Sequence, residues 1–291
     1  MVFVYAAIYI VVLLLFATLI RKSVWGAFGL ALVALATAPL WPEHLDGWFR
    51  WVKTLSVLVP MAFLIGLARI AHHDQRGGAW KFMRGEWVLW GFYAMFALNI
   101  AEASVKDIAL GNTLNGAAGF VLMILLPAVR YPGFKQRNWG FADDNKGDVF
   151  ALTGTAWNIA YVSWNLLFVY NENPTYFASS AALLIAALLY TFLVNKPELF
   201  GMIRVFTLAF HLTLRAATDV MPQTLDQYPA VPNETVATVW AIVNFVAMIS
   251  LLAWRLFSVN ASRKDKAAVP SEESSPISAP QGQNPAVDAR G

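Results

Sequence analysis

Long apolar runs separated by short polar stretches recur along the whole chain, at residues 2–20, 24–40, 54–70, 87–105, 108–129, 149–170, 175–194, 199–220 and 236–255. A hydrocarbon core about 30 Å thick is crossed by about 20 helical residues, so most of these runs predict a membrane-spanning helix. The pattern predicts an all-α, polytopic transmembrane bundle. The second and third runs are short enough to form a re-entrant pair instead, which leaves eight or nine spans, with nine preferred. Residues 1–258 then make one transmembrane domain. From 259 to 291 the composition turns to Ala, Ser, Pro, Glu, Lys and Gln, with almost nothing large and apolar, and predicts a disordered cytoplasmic tail.

Charge placement orients the bundle. With the N-terminus outside and nine spans, only Arg50, Lys53 and Lys106 fall on the outer side, and Arg204 and Arg215 lie within the membrane; the other 16 of the 21 basic residues fall inside. Basic residues concentrate on the cytoplasmic side of membrane proteins, so the bias supports N out and C in, and a multi-pass protein of the cytoplasmic (inner) membrane. Trp25, Trp41, Trp48, Trp51, Trp80, Trp87, Trp90, Trp139 and Trp254 sit near expected span ends, where an interfacial indole keeps its N–H wet.

Composition agrees and narrows the chemistry. Hydrophobic residues make up 58% of the 291 and charged residues 13%, with a mean hydropathy of +0.53. The net charge of +3 is spread over the inner loops, so topology explains it and nucleic acid is not expected as a partner. There is no cysteine, which removes thiolate catalysis and thiolate-ligated metals or clusters. The first run lacks a basic leader and is followed by Arg21-Lys22, so it reads as a retained span. No lysine lies mid-span for a retinal Schiff base. Only His211 among the four histidines lies within a span, so a bis-histidine haem is not available. No phosphate-cradling glycine loop appears. His72-His73-Asp74 lacks a companion ligand set, and Asp143-Asp144-Asn145-Lys146-Gly147-Asp148 departs from a calcium loop in its glycine and its twelfth position. A turn with Asp148 as N-cap of the sixth span is the better reading of that segment. No metal or other cofactor is expected.

The eighth run carries the candidate chemistry. Arg204, Thr207, His211, Arg215 and Asp219 fall within about 60° either side of Arg204 at 100° per residue, a stripe about 22 Å long. An isolated charge in hydrocarbon costs roughly 3 kcal/mol on insertion scales, so these groups need partners, water or a ligand. The fourth run adds Asn99 and Glu102, and the sixth adds Asn158, Asn165 and Glu172 at seven-residue intervals, on one face. Asn112, Asn115 and Asn244 add polar groups from the fifth and ninth. These residues concentrate in the outer half of the expected membrane and suggest a water-accessible pocket open to the outside, with His211 and Arg215 at its floor and Arg215 paired with Glu102 or Asp219. The competing reading is interhelical glue that fixes helix packing, which is the better account of Thr207.

The segments NWGFADDNKGD at 138–148 and WNLLFVYNENPTYF at 164–177, together with residues 204–219, resemble an uncharacterised family of bacterial multi-pass membrane proteins, over roughly residues 85–255. The resemblance implies a helical inner-membrane protein and brings no activity or site residue with it.

Three functions compete. The first is a transporter or channel for a small polar or anionic solute, with Arg215, His211 and Arg204 attracting it, Glu102 or Asp219 holding the cations ready, and Asn99, Asn158 and Asn165 on the facing helices. The second is a membrane-embedded enzyme acting on a lipid-like substrate, with His211 as base and Glu102 orienting it. The third is a sensor or assembly protein whose tail recruits a partner. Transport is preferred, with the lipid bilayer and the solute as the expected partners.

Overall fold

The computed structural model describes residues 1–44, 51, 54–55, 62–73, 77–78, 80–133, 135–142 and 147–268. Trp48, Arg50, Lys53, Asp74, Asp143, Asp144, Asn145, Lys146 and residues 269–291 of the tail expected over 259–291 lie outside the described residues, while 259–268 continue the last helix. Two compact units divide the chain, Met1–Leu252 and Ala253–Gly291.

Nine α-helices of ten residues or more appear among the described residues: α1 (Val2–Lys22), α2 (Gly26–Ala36), α3 (Leu64–His73), α4 (Glu86–Ala109), α5 (Thr113–Leu125), α6 (Thr155–Glu172), α7 (Phe177–Leu193), α8 (Phe200–Ala217) and α9 (Glu234–Ala268). A two-stranded antiparallel hairpin, β1 (Trp139–Phe141) and β2 (Val149–Ala151), interrupts them between α5 and α6. Single helical turns occur at Trp80–Met83 and Val220–Gln223.

Among the described residues, five helical segments are long and apolar enough to cross a membrane: Val2–Lys22, Glu86–Ala109, Pro174–Leu193, Pro197–Ala217 and Glu234–Ser258. That is the number supported by length and composition, against the nine predicted from the run pattern. α2 and α5 are apolar but shorter, and α6 carries Asn158, Asn165, Asn171 and Glu172 along its 18 residues. The short elements have local causes. Pro127 biases Leu126 out of the helical region, so α5 stops there, with Leu126 at φ −63° and ψ 118°. Arg130 and Arg137 reach back to Oε2 of Glu86 at the start of α4, at 2.8 and 3.1 Å. α2 is prolonged by a 3₁₀ helix, Ala38–Glu43, that holds Pro39 and Pro42.

These contacts define two ends of the bundle. At one, Asp148 receives Arg21 Nε at 2.8 Å and Arg69 Nη2 at 3.2 Å, tying the hairpin to α1 and α3. Arg69 is fully buried and also donates to the Ile20 and Arg21 carbonyls, capping the end of α1. Asp148 is therefore not the expected N-cap of the sixth span: β2 intervenes and α6 begins at Thr155. At the opposite end, Lys106 pairs with Glu172, Arg215 with Asp226 and His44 with Asp219.

α8 is the central helix: 72% of its most apolar stretch is buried, against 22% for α1 and 17% for the Glu234–Ser258 segment. Beside it runs an aromatic column in which Phe96, Trp157 and Tyr161 stack, and Tyr161 meets Phe200 of α8 edge-on at 5.5 Å. Trp139, Trp157 and Trp164 donate their indole N–H groups to the Pro127, Leu122 and Asn115 carbonyls of α5 and its extension. Trp139 and Trp41 are thus core residues rather than interfacial anchors, whereas Trp25, Trp87, Trp90 and Trp254 are exposed. α5 can approach this closely because Gly119 lacks a Cβ; an added one would sit 2.7 Å from the Trp164 ring.

Candidate functional site

A cavity of about 430 Å³ lies between α4, α6, α7 and α8. α4 lines it with Asn99, Glu102 and Lys106, α6 with Tyr161, Asn165, Phe168 and Glu172, and α8 with Arg204, Leu208, His211 and Arg215. Each set is spaced by three or four residues, so each helix turns a single face to the same space. From Arg204 to Arg215 the cavity follows α8 for about 16 Å. It reaches the surface beside Lys106, whose side chain is 37% exposed and pairs with Glu172.

Arg204 sits at the inner end of this space. It is 8% exposed, and its Nε and Nη1 atoms are buried without a hydrogen-bond partner among the described residues. The phenol of Tyr161 is its electrostatic neighbour. Nor does it form an ion pair with any carboxylate among the described residues. A guanidinium has five N–H donors and stays charged, so buried nitrogens without acceptors carry a desolvation cost that an anion or water filling the cavity relieves.

The other cations are neutralised. Arg215 donates to Asp226 Oδ2 and, at 3.0 Å, to Ser179 Oγ, while Ser179 donates to Asp226 Oδ1 at 2.7 Å. Its guanidinium carbon lies 4.0 Å from the centre of the Tyr176 ring. The partner is thus Asp226 from the loop after α8, not Glu102 or Asp219 as expected. His211, 2% exposed, bonds through Nδ1 to the Tyr9 hydroxyl of α1 at 2.9 Å, and Nε2 has no hydrogen-bond partner among the described residues. Tyr9, not Glu102, orients the ring.

Of the eight residues singled out from the sequence, Arg204, His211, Arg215, Glu102, Asn99 and Asn165 line the cavity. Asn99 is tethered to the Met95 carbonyl at 2.9 Å, and Glu102 stands exposed at the rim. Asp219 and Asn158 are elsewhere. α8 ends at Ala217, Thr218 is extended with φ −151° and ψ 159°, and this break swings Asp219 off the stripe to meet His44 at 3.3 Å. Asn158 is buried near the opposite end, accepting from Thr153 Oγ1 at 2.7 Å and donating to the Pro197 carbonyl at 2.9 Å, so it is packing glue. Thr207 bonds the Ile203 carbonyl of its own helix.

The remaining polar residues form a separate seam. Asn115 donates to Asp107 Oδ2 at 2.6 Å and accepts from Asn244 at 3.0 Å; Ser163 donates to Asn244 at 2.7 Å and accepts from Trp240 at 2.9 Å. The seam joins α4, α5, α6 and α9 and accounts for Asn115 and Asn244 as structural. Among the described residues, no three His, Cys, Asp or Glu side chains are grouped to hold a metal. A second cavity, about 550 Å³ between α1, α2 and α8, contains no ionisable side chain in its lining.

Tyr9, Asp226, Tyr161 and Lys106 were not singled out from the sequence. Asp226 is the sole carboxylate between Asp219 and Glu234, in a loop whose Met221 and Leu225 are buried. That apolar spacing around an acid was the one available signal.

No family model, no curated protein and no solved structure matches this chain.

Proposed function

We propose that this chain is a multi-pass protein of the cytoplasmic membrane that carries a small polar or anionic solute through the cavity between α4, α6 and α8. One observation carries the reading: Arg204, a buried cation without a carboxylate partner among the described residues, lies at the end of a cavity that reaches the surface. Such a group at bilayer depth is expensive unless it meets a solute or water there.

The topology of nine passes with the N-terminus outside belongs to the same proposal. Its support is the unequal charge of the two bundle ends. Arg21, Lys22, Arg69, Arg130, Arg137 and Lys196 gather where Asp148 and Glu86 lie, whereas acidic Glu172, Asp219 and Asp226 gather with Lys106 and Arg215 at the other. The positive-inside bias makes the first end cytoplasmic, so the cavity is open to the outer side. α2 with its 3₁₀ extension and α5 with the segment from Leu126 to Arg130 serve as passes despite their short helices. The bilayer and the solute are the partners in this reading, and nucleic acid is not.

Uptake into proteoliposomes containing the purified chain tests it. The expected result is saturable uptake of at least one small anion that falls at least tenfold on Arg204→Gln. Uptake that is unchanged in the folded Arg204→Gln protein removes the assignment.

A further inference from the structure

We propose that the occupant of the Arg204 cavity is a monoanionic organic acid, its carboxylate at Arg204 and its apolar body along the aromatic wall of α4 and α6. The inference rests on the reading of this cavity as a solute site and narrows the solute's chemistry.

The charge inventory sets the first constraint. Lys106 and Arg215 already face Glu172 and Asp226, so Arg204 is the cation in the lining with charge to offer. One uncompensated positive charge in a low-dielectric space is balanced by one negative charge; a dianion would leave a charge buried without a counterion. Glu102 on the same lining further disfavours a second anionic group. A carboxylate also matches the guanidinium donors, of which Nε and Nη1 have no partner.

The walls set the second. They include Phe96, Tyr161, Phe168, Val205 and Leu208, surfaces that gain by covering apolar carbon, which an inorganic ion does not carry. A volume of about 430 Å³ lies within the roughly 300–1,000 Å³ of sites that enclose small organic ligands. The lining joins aromatic and aliphatic surface to a charged anchor at Arg204, with polar side chains such as Asn99, Asn165 and His211 alongside, and in such sites the polar groups fix orientation while the body supplies affinity.

Thermal unfolding of the full chain in detergent tests this with benzoate and hexanoate, their neutral isosteres benzamide and hexanamide, and inorganic phosphate and succinate. A ligand that binds the folded state raises the midpoint in a saturable way. Benzoate and hexanoate are expected to do so, and the other four are not. Arg204→Gln is expected to weaken the benzoate response about tenfold to a hundredfold, and Arg204→Lys by less. The comparison of benzoate with benzamide on the unaltered protein holds even if neither variant folds. Equal shifts from the amides, equal or larger shifts from phosphate or succinate, or no shift from either carboxylate each overturn the inference. Carboxylate binding that depends on Arg204 without any flux in proteoliposomes leaves this inference standing and removes transport.

Discussion

The hydroxyl of Tyr9 on α1 lies 2.9 Å from Nδ1 of His211 on α8, joining residues 202 positions apart at the edge of the cavity. When the phenol donates, the imidazole proton resides on Nε2, the ring nitrogen without a protein partner among the described residues. The contact thus decides which nitrogen His211 offers to a ligand.

Tyr9→Phe removes that hydrogen bond while keeping the ring that packs against His211. The expected cost is about 1 kcal/mol, a fall of about 2–4 °C in the thermal midpoint. Affinity for a cavity ligand is expected to fall with it, because the imidazole loses its orientation. A Tyr9→Phe protein with the parent's midpoint and affinity shows that the contact does not fix the ring.

Asp226→Asn leaves the Arg215 guanidinium partly buried against Tyr176 without a counter-charge. Breaking such a pair is expected to cost about 3 kcal/mol. The double change Arg215→Met with Asp226→Leu is expected to recover most of that loss, since both charges leave together. Chemical or thermal unfolding of the two single variants and the double variant gives the coupling directly. Purely additive losses contradict the pairing.

Much of the site was legible in the sequence because helical periodicity is strict. Arg204, His211 and Arg215 share a face of α8, and Asn99 with Glu102 and Asn165 with Glu172 share faces of α4 and α6, wherever these helices are placed. What failed depended on where helices stop. Helical periodicity carries the stripe to Asp219, because residues 217–220 are compatible with a helix, and the extended Thr218 removes it. Asn158 fits the periodicity of its face but lies at the level of Thr153 and Pro197, beyond the cavity's inner end. The partners Tyr9 and Asp226 come from another helix and from a loop, and no spacing within one run contains them. The apolar runs predict nine spans, whereas five helical segments among the described residues are long and apolar enough to cross a membrane, and Pro127, Pro39 and Pro42 follow the ends of two of the shorter helices.

At the opposite end, Asp148 receives two guanidinium groups, and Arg69 is wholly buried. Asp148→Asn leaves both cations without a charge partner there, and the expected loss is about 3–5 kcal/mol. Tryptophan fluorescence during unfolding follows it, because Trp139 lies in the same hairpin. A variant that unfolds at the parent's midpoint shows that the clamp does not hold the hairpin in place.

The most direct measurement uses the absence of cysteine from the chain. Single cysteines at Asn165, which lines the cavity, and at Asn158, which is buried beyond it, can be challenged with a membrane-impermeant maleimide from either side of oriented vesicles. The expected result is rapid labelling at position 165 from the outer side, slowed by benzoate, and no labelling at 158. A folded protein that is unreactive at position 165 from both sides contradicts a wet cavity in which Arg204 receives an anion.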